Sequence, residues 1–102
     1  MKKYNTFNNK ELNTLLLKRK GGHTSIRIID AILDRPLNAY QLSKLLGVDY
    51  KTILYHVTLF CESKFLIKEN ESYGSLYYPS EKLLENIIEY EKIKKIIKKT
   101  RK

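Results

Sequence analysis

A chain of 102 residues carrying +9 at neutral pH has room for one domain with a small core, which oligomerisation would help to stabilise. Its one cysteine, Cys61, excludes an internal disulfide, and with His23 and His56 in separate segments there is no metal-ligand cluster. The opening MKKYNTFNNK has no apolar segment after its lysines and no apolar run approaches about 18 residues, so neither a signal peptide nor a membrane span is expected and the expected compartment is the cytoplasm.

The charge is unevenly placed. Residues 1–20 hold six basic and one acidic residue, and residues 81–102 eight and four. Residues 49–80 hold three basic and four acidic residues and are nearly neutral. Long-range attraction to an anionic partner would therefore come from the two ends.

Residues 1–8 are polar and basic and are expected to fray. Asn9 to Lys20 is expected as a helix with Leu12, Leu15 and Leu16 on one side, Lys18, Arg19 and Lys20 in the last turn, and Gly21-Gly22 as the stop. The basic turn either complements the helix dipole or contacts phosphate. Thr24 or Ser25 would cap the next helix, SIRIIDAILDR, which carries an apolar stripe of Ile26, Ile29, Ile32 and Leu33 and must end before Pro36. His23 stands just before it as a surface or capping residue.

NAYQLSKLLGVDYKTILYHVTLFCES, residues 38–63, reads as helix, tight turn, helix. Asn38 is the N-cap of the first, Gln41 completes a capping box, and Leu42, Leu45 and Leu46 follow at helical spacing. Gly47 supplies a left-handed turn and Val48 an apolar plug. Asp49 caps the second helix, which has two faces. Ile53, His56, Val57, Phe60 and Cys61 fall on the core side, which makes Cys61 a small buried hydrophobe or, alternatively, a redox-responsive thiol. Tyr50, Lys51, Leu54, Tyr55 and Thr58 fall on the other, which has no core to serve. A short helix laid across a second one, with tyrosine, lysine, threonine and leucine turned outward, suits the major groove of duplex DNA.

After Ser63 the period changes. Phe65-Leu66-Ile67, a polar tip from Lys68 to Ser72, Tyr73-Gly74 and Leu76-Tyr77-Tyr78 before Pro79 predict a two-stranded hairpin with a turn of about five residues, which must rest on the helices. The predicted fold class is mostly α with a small β-hairpin (α+β). On residues 21–79, and most specifically on LGVDYKTILYHV, the chain resembles the winged helix-turn-helix transcription regulators of the ArsR/MarR type found in archaea and bacteria. The resemblance implies a winged helix-turn-helix with N- and C-terminal flanking helices, in which the hairpin is the wing, residues 1–20 are a basic arm and helix, and residues 80–102 are a dimerising helix. The wing tip carries Glu69 and Glu71, so it either touches DNA through Lys68, Asn70, Ser72 and Tyr73 or is purely structural.

Pro79-Ser80 leads into a helix expected to run unbroken from Glu81 to about Lys99. Leu83, Leu84, Ile87, Ile88, Tyr90, Ile93, Ile96 and Ile97 give it more apolar surface than a terminal helix should show to water, and Leu83, Tyr90 and Ile97 are seven apart with Ile87 and Ile93 between them. With Leu12, Leu15 and Leu16 they would make a two-fold interface, and terminal-helix pairing is what the resemblance implies. The expected interface is Leu12, Leu15, Leu16, Leu83, Ile87, Tyr90 and Ile97; the alternative is that both helices cover the core of a monomer. The closing Lys-rich run is a solvated end, a phosphate-binding tail or a membrane-surface face, in that order of preference.

The expected function is a homodimeric, sequence-specific regulator of transcription that binds double-stranded DNA. Its reading set is Tyr50, Lys51, Thr52, Leu54, Tyr55 and Thr58, with Leu54 suited to a thymine methyl, and its backbone set is Ser43, Lys44, Lys68 and Tyr73. The reading helix has no arginine. A non-specific architectural DNA-binding protein and a protein-docking winged helix are the alternatives. No cofactor, metal or small-molecule effector is identifiable, and without paired carboxylates, a Gly-rich phosphate loop or a nucleophile–base set an enzyme is not expected.

Overall fold

The computed structural model describes the backbone of residues 2–100 and the side chains of residues 10–99. Six helices and one hairpin follow in the order α1 (Lys2–Leu17), α2 (Gly22–Asp34), α3 (Ala39–Leu46), α4 (Tyr50–Glu62), β1 (Leu66–Lys68), β2 (Tyr77–Pro79), α5 (Glu81–Glu85) and α6 (Ile87–Thr100). The protein is mostly helical with a small antiparallel hairpin: α2, α3, α4 and β1–β2 make a winged helix-turn-helix, flanked by α1 and by α5–α6. No helix among the described residues is long and apolar enough to cross a membrane.

The middle of the chain follows its local signals. Asn38 accepts from the Gln41 amide at 2.7 Å while the Gln41 side chain accepts from the Asn38 amide at 2.8 Å, the reciprocal capping box. Gly47 ends α3 at φ 67°, and Asp49 caps α4 by accepting from the Thr52 amide at 3.2 Å. Arg27 of α2 donates to the Leu46 carbonyl at 2.7 Å, so a cation satisfies the negative end of α3 and ties the scaffold helix to the turn. Ile53, His56, Val57 and Phe60 of α4 are all buried.

The hairpin pairs Leu66 with Pro79, Ile67 with Tyr78 and Lys68 with Tyr77. Its strands are shorter and its loop longer than the expected five-residue turn, because Asn70, Ser72 and Ser75 fold the loop on itself: Asn70 N–H donates to Ser75 Oγ at 2.8 Å and Ser72 N–H to Asn70 Oδ1 at 2.8 Å. The chain between α2 and α3 covers the other edge of β2, with Tyr77 N–H donating to the Leu37 carbonyl at 2.9 Å.

The flanks differ from expectation in four ways. Helix α1 is already helical from Lys2, since no glycine or proline interrupts it, and it ends at Leu17, so Lys18, Arg19 and Lys20 are a connection instead of a last turn. Helix α2 starts at Gly22 with Gly21 at φ 87°, and Ser25 is buried inside it instead of capping it. The last helix is broken at Asn86, whose buried side-chain amide donates to the Lys82 carbonyl at 2.9 Å and replaces the backbone ladder there.

The fourth difference concerns the expected dimer seam. Leu12, Leu16, Leu83, Tyr90 and Ile97 are buried in the core of a single chain, with Leu15 and Ile87 packed half-buried against it. Helix α6 lies against α1 and α2, so the buried members of the expected seam are covered by the chain's own helices. Tyr90 Oη donates to Asp30 Oδ1 at 2.7 Å, and Lys94 reaches both carboxylate oxygens of Asp30 at 3.2 Å. Lys82 binds Glu11 at 2.7 Å and the Ser63 carbonyl at 3.0 Å, joining α5 to α1 and to the end of α4.

Two glycines separate backbone strain from space. A Cβ on Gly47 meets nothing within 4 Å, so Gly47→Ala is charged only the left-handed conformation, about 1 kcal/mol. A Cβ on Gly22 would stand 2.5 Å from the Leu16 carbonyl, so Gly22→Ala must push α1 off α2 and is expected to cost about 3 kcal/mol. Urea unfolding midpoints of the two variants measure this difference; equal losses would remove the close α1–α2 approach.

Candidate nucleic-acid interface

Helix α4 is held by its inner face. Ile53, Val57 and Phe60 fill the core, and His56, the one polar member, is placed with Nδ1 3.0 Å from the buried Ser25 Oγ, so hydroxyl and imidazole share a hydrogen bond. Burial, and after it the charge of Arg19, hold His56 below its ordinary pKa, which keeps the imidazole neutral.

Round the rest of the helix three zones follow one another. Tyr50 and Leu54 are half-buried and line a cavity of about 420 Å³ between α3, α4 and the hairpin loop. Lys51 and Thr58 come next and are exposed. Tyr55, 56% exposed, closes the strip on the far side. There Arg19 crosses from the α1–α2 connection, donates to Tyr55 Oη at 2.8 Å and holds its guanidinium 5.3 Å from the centre of the Tyr55 ring. The open strip of α4 thus runs between the wing and a basic connection.

The expected reading residues are therefore only partly together. Lys51, Tyr55 and Thr58 share the open strip. Leu54 turns toward the wing and packs on the core instead of standing free for a methyl group. Thr52 is half-buried beside its cap, its amide given to Asp49. Tyr50 lines the cavity together with Tyr73, and the neighbouring phenol, with burial after it, raises the Tyr50 pKa.

Of the backbone set, Lys44 is exposed with its amine 5.4 Å from the centre of the Tyr40 ring, and Tyr73 at the wing tip is 86% exposed. Lys68 is half-buried and borders the cavity. Ser43 is a correction: its only proton goes to the Val48 carbonyl at 2.6 Å, inside the helix-turn-helix, so it has none to offer a phosphate. Cys61 is half-buried, and burial pushes its thiol pKa up.

Arg19 is the residue that reading the sequence did not bring to the site. It lies 36 positions from Tyr55, and the only local sign was a basic run before a glycine pair. Among the described residues no group of three or more His, Cys, Asp or Glu side chains is placed to hold a metal ion. Comparison with protein-family models, with curated proteins and with solved structures finds no match for this chain.

The buried pair is testable through stability. Because the folded state holds His56 below the unfolded value of 6.5, the unfolded chain binds more protons as the pH falls. The contribution of neutral His56 is therefore full above pH 6.5 and is lost as the pH falls from there to the lowered folded value. Urea midpoints between pH 8 and 5 are expected to drop over that window in the native chain and to drop less in His56→Leu. Ser25→Ala, which strands Nδ1, is expected to cost about 1–3 kcal/mol at pH 8.

Proposed function

We propose that this chain is a regulator of transcription that binds duplex DNA and reads the major groove with α4. The observation that carries the reading is the open strip of Lys51, Tyr55 and Thr58, which is unburied along a helix whose opposite side is fully packed. Lysine and threonine donate to base edges, and a tyrosine offers both a hydroxyl and an apolar ring. The resemblance of residues 21–79 to ArsR/MarR-type regulators supports the same role.

Self-association belongs to the proposal in a changed form. A two-fold contact would use residues that remain outside the core on α5 and α6, Leu84, Ile88 and Ile96, of which Ile88 is 72% exposed. Two copies would then present their α4 helices to half-sites about one helical turn apart. One observation favours the architectural alternative: α4 has no arginine, the commonest reader of guanine.

Selection from a pool of random duplexes at near-physiological salt is the deciding test. Enrichment of an inverted repeat is the expected result; retention without enrichment would transfer the protein to architectural binding, and no retention would leave a protein partner. With the selected site in hand, Tyr55→Ala is expected to weaken the cognate duplex by about 1–3 kcal/mol more than random DNA. Equal losses would remove Tyr55 from the reading set. Sedimentation equilibrium at micromolar concentration is expected to show a dimer that Ile88→Glu converts to monomer.

A further inference from the structure

The α1–α2 connection and the last described turns of α6, far apart in sequence, meet in space. Ile97 of α6 sits where a Cβ on Gly22 would be 3.4 Å from its Cδ1, and it borders a cavity of about 290 Å³ together with Arg19, Gly21 and His23. Helix α6 runs antiparallel to α2: Tyr90 meets Ile26 and Asp30, Lys94 meets Asp30, and Ile97 reaches Gly22. Lys98 is exposed and directly follows Ile97, whose contact with Gly22 brings this turn of α6 level with the start of α2. Lys18 and Lys20 flank Arg19 in the connection, and Lys18, Lys20 and Lys98 are all exposed.

Acidic residues do not offset this cluster. None occurs from Lys18 to Ile29 or from Lys92 to Lys99, and the nearby Asp30 and Glu91 are both engaged by Lys94. Arg19 then joins the cluster to Tyr55, at the edge of the open strip of α4 that lies away from the wing.

We propose that Lys18, Lys20 and Lys98, with Arg19 as the link to α4, form a platform for the phosphates that flank the groove occupied by α4. This rests on the reading of α4 as a groove helix and adds where the backbone is held. The wing, with exposed Glu69 and Glu71, is the poorer of the two walls for phosphate, and the platform takes its place as the main electrostatic contact. Arg19 positions Tyr55 as well as adding charge, so it is left intact in the test.

The test is the salt dependence of duplex binding by three full-length proteins: the native chain, Lys18→Gln/Lys20→Gln/Lys98→Gln, and a control with equal charge removed at exposed sites elsewhere, Lys10→Gln/Lys64→Gln/Lys92→Gln. All six lysines are exposed, so both variants are expected to keep the native urea midpoint. The platform variant is expected to lose about 2–3 from the slope of log affinity against log salt while keeping the native order of preference among duplexes, and the control to lose less than about 1. Equal slopes in the two variants, or an unchanged slope in the platform variant, overturn the platform and leave the groove reading standing. A native chain that retains no duplex at low salt overturns both.

Discussion

A helix that keeps one long side in water is held only by the other, and in α4 that other side consists of Ile53, His56, Val57 and Phe60. Full burial of each apolar member is worth roughly 1.5–3 kcal/mol, but the histidine among them would be a loss without a partner. Ser25 supplies that partner from α2, so α2 is held at one height and one rotation against α4. The remaining contacts follow from this placement. Arg27 on the outer side of α2 reaches the end of α3, and Tyr90 reaches Ile26 and Asp30 on the side that faces α6. The start of α2, kept at Gly22 by its fit to Leu16, brings the α1–α2 connection and Arg19 to Tyr55.

The parts legible in the sequence are those decided within about one helical turn. The Asn38–Gln41 box, the left-handed Gly47, the Asp49 cap and the phase of α4 each depend on residues three or four positions apart, and each is found where local chemistry puts it. Ser80 is another, accepting from the Leu83 amide at 3.1 Å as the cap of α5. The start of α2 was not legible, because Ser25 is as good a cap as it is a buried partner, and only the distant His56 decides between those uses. The break at Asn86 was hidden for a similar reason: the apolar spacing of Leu83, Ile87 and Tyr90 continues through it.

The difference at the expected dimer seam has a more general cause. Leu83, Tyr90 and Ile97 repeat with a period that identifies which side of a helix is covered, and burial agrees with that side. Period carries no information about what does the covering, a second copy or the chain's own α1 and α2. The same holds at the candidate site. The phase of α4 separated Lys51, Tyr55 and Thr58 from the core, but the partition of the outer face between wing, open strip and basic connection depends on neighbours that are distant in sequence. Leu54 and Tyr50 went to the wing for that reason, and Ser43 was used by the turn it belongs to.

In the proposed function this partition removes a difficulty that composition raised, a reading helix with almost no charge in a protein of +9. Phosphate attraction is long-ranged and indifferent to sequence, whereas base contacts are short and lose discrimination if a flexible cation can satisfy itself on any neighbouring phosphate. Placing lysines on the scaffold at the start of α2 and the end of α6 separates the two tasks. The scaffold then sets affinity and its salt dependence, and the strip of α4 sets preference among sequences. Among the described residues Arg19 is the cation that joins the two, through its hydrogen bond and ring contact with Tyr55. In the proposed complex a cation held there would add to binding at the edge of the strip and leave Lys51 and Thr58 open to the base pairs.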